Sequence, residues 1–228
     1  MKLITVAGPP SSGKTSVILR AVEGLTTSGL KPAVVKFDSL SSEDENRYHQ
    51  AGIPVKTGLA GGLCPDHFFI TNIEACVQWA RQNRFDLLIS ESAGLCNRCS
   101  PHIRDVLAVC VVDNLSGVHT PRKIGPMLKT ADIVVITKGD IVSQAEREVF
   151  AFRVRQVNPK AAVLPVNGLT GQGILLLIRH FEVAQPITTV ENARLRFSMP
   201  AALCSYCLGE TRIGKDAQVG NIKMMDFG

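Results

Sequence analysis

The chain has 228 residues, of which 45% are hydrophobic and 20% charged, and a formal net charge of +5. That is enough apolar material for one buried core. The basic residues are dispersed, which leaves no Lys/Arg run of the kind that marks a nucleic-acid footprint. The longest apolar stretch, "GILLLI", falls far short of the roughly 20 residues that span a bilayer, which excludes a membrane span.

The opening "MKLITVAG" has no long apolar core or small-residue cleavage site of the secretory kind, so a cytoplasmic protein is expected. Thiols stay reduced there. Seven cysteines then read as metal ligands, redox groups or small core residues rather than disulfides.

In chain order, "LITVAG" and "AVVKFD" read as strands around a helix from about Lys14 to Ser28, which Gly29 terminates. "DLLIS", "LAVCVVD" and "DIVVIT" follow as strands apolar on both faces, as covered parallel strands must be. "AVLPVNG" is a further strand and "GQGILLLIRHFEVA" a closing helix. The expected fold is α/β, a mostly parallel central sheet with helices on both faces. After Gln185-Pro186 the character changes to short β-like pieces with several glycines and a second C-x-x-C pair. Residues 1–185 are therefore expected to form the main domain and 186–228 a small C-terminal appendage. That appendage is too short for a core of its own, so it must pack on the main domain, bind a metal, or do both.

Gly8 to Thr15, "GPPSSGKT", fits G-x-x-x-x-G-K-[ST] between a predicted strand and a predicted helix. In such a loop the backbone of Gly8, Pro9, Pro10, Ser11, Ser12 and Gly13 curls around phosphate oxygens, and the helix start through Ser16 adds its positive dipole. Lys14 would reach the terminal phosphates and the Thr15 hydroxyl would bind Mg2+. Thr137, Lys138 and Asp140 in "VVITKGD" have the form [NT]-K-x-D. There the Asp carboxylate accepts from guanine N1–H and N2–H while the Lys stem covers the ring, which points to GTP. An adenine would leave that carboxylate unpaired, a strongly penalised arrangement.

Taken with "VVKFD", "GGLCPDH", "ESAG", "HTPRKIGPMLKTADIVVITKGD" and "PVNGLTGQG", in that order, the chain resembles the HypB, UreG and CobW group of metal-handling P-loop GTPases over roughly Lys2 to Ala184. The resemblance implies a homodimerising GTPase of the maturation type that serves a client metalloenzyme or its maturation complex. It implies that Asp38 is the switch carboxylate near Mg2+ and the attacking water, and that Glu91 stands at the second switch near the γ-phosphate. Lys14, Asp38 and Glu91 would then be catalytic, with Thr15, Asp38 and Glu91 around Mg2+. The loop bearing Asn167 and Gly168 would back the base. Thr137 occupies a position where Asn is usual, and Asp66 intervenes where the urease-type sequence reads Cys-Pro-His.

The resemblance further implies metal ligands at Cys64 and His67, after the first switch, and at Cys96, after the second. Cys99 extends Cys96 to C-x-x-C, and Cys204 and Cys207 form a second pair. This spacing lets two thiolates reach one tetrahedral metal or one edge of an iron–sulfur cluster. Convergence of the two pairs into one four-thiolate site is the sharpest expectation, with zinc, nickel or an iron–sulfur cluster as what it would hold. A zinc site within the tail, or a cluster held with Cys64, stays open. Two other functions stay open with it: a P-loop ATPase whose iron–sulfur cluster gates electron transfer to a client, and a non-catalytic metal-sensing module. Cys76 and Cys110 read as core residues. His102 reads as a solvent-facing side chain or a fourth ligand.

Overall fold

The computed structural model describes residues 1–197, 210–218 and 220–227. Seven parallel strands form one sheet in the order β3-β2-β4-β1-β5-β6-β7: β1 (Lys2–Ala7), β2 (Pro32–Asp38), β3 (Val55–Leu59), β4 (Leu87–Glu91), β5 (Leu107–Asp113), β6 (Ile133–Thr137) and β7 (Ala162–Pro165). The strand order reverses at β1, and parallel sheets bind ligands at the carboxyl ends of strands flanking such a switch point.

The helices between them are α1 (Lys14–Thr27), α2 (Asp44–Gln50), α3 (Pro65–Gln82), α4 (Thr120–Lys123), α5 (Pro126–Lys129), α6 (Gln144–Val157) and α7 (Ile174–Val183). Alternate residues of each strand feed opposite faces. Ile4 and Val34 pack with Val17, Ile18, Leu25, Leu177 and Phe181 of α1 and α7. Leu3, Val35 and Phe37 pack with Phe68, Phe69, Ile73 and Val77 of α3. A third cluster joins Cys110, Val112, Val134 and Ile136 to Met127, Leu128, Phe150 and Val154. Two covered faces explain the unbroken apolar runs of the central strands.

Sequence patterning missed β3 because "VKTGL" is short and carries Gly58, where Phe68 and Met225 crowd the position a Cβ would take. Helix α3 begins with Pro65 at its first turn, a favoured site because the proline lacks an N–H there, and Cys64 is the extended residue before it. Beyond α7, Ile187 donates its N–H to Met1 O, and Val190, Leu195 and Ile213 join the α3-side core. Arg196 spans the Asp132 carboxylate with two 2.7 Å bonds and also donates to Ile103 O, Thr130 O and Val106 O, tying this segment to the loops that enter β5 and β6. The last described residues run beside α3, where the buried Asn72 donates to Lys223 O and accepts from Met225 N.

Candidate nucleotide site and an adjoining thiol cluster

The loop between β1 and α1 has the expected strand-to-helix setting. Gly8 lies at φ +147°, and a Cβ there would fall 2.0 Å from Val111 O, so only glycine lets the loop turn over β5. Lys14 curls back on this loop and donates to Gly8 O and Pro9 O, both at 2.9 Å. Its burial lowers the ammonium pKa to about 8, and the Glu91 charge opposes that shift only in part. Among the described residues the buried Ser12 hydroxyl has no hydrogen-bond partner. A polar loop with an orphaned hydroxyl, an inward lysine and the amino end of a 14-residue helix fits a phosphate chain.

Glu91, at the end of β4, is fully buried. Its Oε1 accepts from Thr15 Oγ1 and from Lys36 Nζ, each at 2.8 Å, and its Oε2 accepts from Tyr48 Oη at 2.7 Å. Lys36 also meets Asp44 Oδ2 at 2.8 Å and stands 3.9 Å from Asp38 Oδ2. Burial disfavours the Lys36 ammonium, but Glu91 and Asp44 outweigh it and hold its pKa above the ordinary lysine value. Burial likewise opposes ionisation of Asp44, yet its bond to Lys36 keeps the carboxyl below the usual range. Tyr48 is pushed well above a normal phenol by burial and by the Glu91 charge. Thr15, Lys36, Asp38, Asp44 and Glu91, with Ser16, Arg47 and Leu95, border a cleft of about 470 Å³. The structure thus brings Thr15, Asp38 and Glu91 to one place, an oxygen-donor set that suits Mg2+.

Lys36, Asp44 and Tyr48 escaped the sequence reading. Lys36 carried a signal, since a lysine inside an otherwise apolar strand must have a buried anionic partner. Tyr48 carried none, because "DENRYHQ" reads as an exposed polar turn of helix.

A second cavity of about 190 Å³ adjoins Gly13 and Ser16 and is lined by Thr137, Lys138, Asp140, Asn167 and Gly168. Lys138, in a left-handed conformation at φ 56°, reaches across to Ser11 O at 2.7 Å. Thr137 donates to Ser12 O at 2.6 Å, so the strand end that leads into Lys138 and Asp140 is bonded directly to the loop at Gly8 to Thr15. Asn167 shapes its own turn by accepting from Leu169 N and Thr170 N.

Cys96 and Cys99 lie beyond Glu91, with their sulfurs 3.6 Å apart. One ligand atom from each of Asp66, Cys96 and Cys99 lies within 4.8 Å of the others. Burial raises Asp66 to about 7. The Cys99 thiol is pushed far up by burial and by the neighbouring Asp66, Cys96 and Cys64. The carboxylate that joins the thiols is therefore Asp66, which sequence reading treated as an interruption, and His67 is fully buried one residue further along α3. Cys204 and Cys207 lie outside the described residues. His102 is neither solvent-facing nor a ligand. It is fully buried, with Nδ1 3.0 Å from Thr5 Oγ1 and Nε2 3.0 Å from Met127 O. Because a carbonyl only accepts, Nε2 carries the proton and the ring is a satisfied neutral core residue. Cys76 and Cys110 are buried core thiols, as expected.

Between the two sites lies one backbone contact. Gly94 adopts φ +73°, and a Cβ on it would sit 1.7 Å from Gly8 O.

The sheet order, the loop at Gly8 to Thr15 and the buried Thr15–Glu91–Lys36 centre define a P-loop nucleotide-binding protein. A sequence profile of the CobW/HypB/UreG nucleotide-binding domain matches residues 2–165, and the chain belongs to that family of metallochaperones. An uncharacterised protein of Methanocaldococcus jannaschii is 48% identical over 226 residues, covering 99% of this chain and 97% of that protein. Urease accessory protein UreG 2 of Bradyrhizobium sp. is 33% identical over 195 residues, covering 77% of this chain and 87% of that protein. The fold resembles the hydrogenase maturation factor HypB of Archaeoglobus fulgidus, with TM-score 0.64 at 22% identity over 80% of this chain and 89% of that one. It also resembles HypB of Helicobacter pylori in complex with nickel, with TM-score 0.63 at 18% identity over 83% and 91%. Among the described residues no helix is long and apolar enough to cross a membrane.

Proposed function

We propose that this protein is a GTP-binding, GTP-hydrolysing maturation factor of the cytoplasm. In this reading it dimerises with nucleotide and carries a thiolate-bound metal to a client metalloenzyme or its maturation complex. The observation that carries the reading is the contact of Gly94 with Gly8. Glu91, bonded to Thr15, ends β4, and Cys96 and Cys99, beside Asp66, lie in the loop that follows it, whose Gly94 rests on the phosphate loop. Nucleotide at Lys14 and metal at the thiols would therefore share a backbone segment, and a change at one would be felt at the other.

The roles follow from position. Lys14 neutralises the terminal phosphates. Mg2+, when bound at Thr15, Asp38 and Glu91, supplies charge neutralisation at the phosphates. Asp140, with Thr137, Lys138, Asn167 and Gly168 around it, selects guanine. The metal is cargo rather than a resident catalyst. Cys96 and Cys99 with Asp66 combine soft and hard donors, which suits a borderline divalent ion such as nickel or zinc better than an all-thiolate iron–sulfur cluster. Nickel is also the ion named with the Helicobacter relative. Cys64, His67, Cys204 and Cys207 are the further proposed ligands. In support of the tail pair, Arg196 N donates to His102 O and Arg104 N to Arg194 O, so the described tail runs antiparallel to the segment that follows Cys99.

The test is GTP turnover by the whole chain with and without Ni2+ or Zn2+, beside Lys14→Ala. Slow turnover that responds to metal and vanishes in the variant supports the reading. Turnover unchanged in Lys14→Ala removes the site assignment, and tight nucleotide binding with no turnover under any metal condition favours a metal-sensing module.

A further inference from the structure

In a nucleotide-free P-loop protein the hydroxyl that follows the loop lysine and the nearby acidic groups make a ready locus for a divalent cation. Here that locus already holds a cation of the chain itself. Lys36 Nζ lies 2.8 Å from Glu91 Oε1, 2.8 Å from Asp44 Oδ2 and 3.9 Å from Asp38 Oδ2, and the same Glu91 oxygen accepts the Thr15 hydroxyl. The side chain is 5% exposed, and it projects from the middle of a strand whose other residues are apolar up to Asp38. A lysine so placed needs anionic partners, and two of the three carboxylates around it, Glu91 and Asp38, are those expected to face Mg2+.

We propose that Lys36 is a resident cation of the magnesium locus, which keeps free divalent ions out so that the metal enters as its nucleotide complex. This inference rests on the nucleotide-site reading above. A lone Mg2+ would have to shed water and displace a lysine from a buried pair with Glu91 and a half-buried pair with Asp44, with only Thr15 and the same carboxylates in return. A metal arriving on a triphosphate brings phosphate oxygens as ligands. Its phosphates also give the Lys36 and Lys14 ammoniums new anionic partners, so no buried charge is left alone. Lys36 is thus a positioning residue that sets the order of binding. Tyr48 supports it from α2 by holding the other oxygen of Glu91, which keeps the carboxylate turned toward Lys36.

The experiment titrates the nucleotide-free protein with Mn2+ and reads bound metal by electron paramagnetic resonance. Wild type, Lys36→Met and Lys36→Arg are compared, each also with a non-hydrolysable GTP analogue. Wild type and Lys36→Arg are expected to take up Mn2+ at this site only with the nucleotide. Lys36→Met is expected to bind it without nucleotide, on the order of tenfold or more tightly than wild type. A Lys36→Met protein with no gain in metal affinity would overturn the proposal and leave Lys36 a structural ion pair. Should Lys36→Met fail to fold, wild type still decides the matter, because tight Mn2+ binding by the nucleotide-free chain, lost on Thr15→Ala, contradicts a resident cation. If the analogue fails to bind wild type in any metal, the nucleotide reading itself is wrong.

Discussion

Gly94 rests its backbone against the carbonyl of Gly8, close enough that a single added methyl would sit 1.7 Å from the oxygen. The loop that bears the thiols and the loop that faces the phosphates are therefore one packed unit. Gly94→Ala is expected to cost about 2–4 kcal/mol, from a strained positive φ together with overpacking. It should weaken nucleotide binding about tenfold. Thermal melting and titration with a fluorescent GTP analogue check both, and wild-type affinity in a folded variant would show that the contact carries no coupling.

Asp140 lies beside the small cavity that Thr137 and Asn167 also line. If it reads guanine, Asp140→Asn should lose GTP affinity by at least about a hundredfold, since a matched pair of acceptors is replaced by a mismatched amide. ATP binding should stay weak and unchanged. Competition titrations with both nucleotides settle the preference, and ATP bound as tightly as GTP by wild type points instead to an ATPase.

The sulfurs of Cys96 and Cys99 stand 3.6 Å apart with the Asp66 carboxyl beside them. Anaerobic purification with elemental analysis and a visible spectrum should give a colourless protein that takes up about one Ni2+ or Zn2+ per site. Cys96→Ser/Cys99→Ser should abolish that uptake, and Asp66→Asn should weaken it about 10-fold to 100-fold. A Cys204→Ser/Cys207→Ser variant tests the tail pair. Brown protein with iron and sulfide would favour a cluster.

Burial, followed by the nearby Arg196 charge, depresses His102 to about 3 from an ordinary 6.5. The ring is neutral in the fold, whereas the unfolded chain takes up a proton below its ordinary value. Its contribution to stability is therefore complete above that value and is lost as pH falls toward 3. At pH 5 the loss is about 2 kcal/mol. His102→Asn should be less stable than wild type at pH 7.5, with a flatter decline between pH 6.5 and 4 in thermal melts. An equally steep decline would assign the acid sensitivity to other groups.

The α/β sheet, its parallel strands and the phosphate loop could be read directly in the sequence. They arise from local pattern: runs of buried apolar residues that need two covered faces, and a glycine-lysine spacing that makes sense only between a strand and a helix. The 3.6-residue and two-residue periodicities are properties of neighbouring residues, so the sequence alone determined them. The partners of buried charges are a different matter. Lys36, Asp44, Tyr48 and Glu91 are spread over 56 positions, counted from Lys36 through Glu91, and meet only because β2 lies next to β4 and α2 folds over their ends. His102 looked exposed beside Pro101, yet the neutral ring fills a core site between Thr5 and Met127, which the chain brings from opposite sides of it. Asp66 looked like an interruption between a cysteine and a histidine, and the first turn of α3 aims it at the thiols. Burial and hydrogen bonding among residues far apart in the chain are decided by tertiary structure, because a side chain's charge and partners depend on what the fold places within about 4 Å of it.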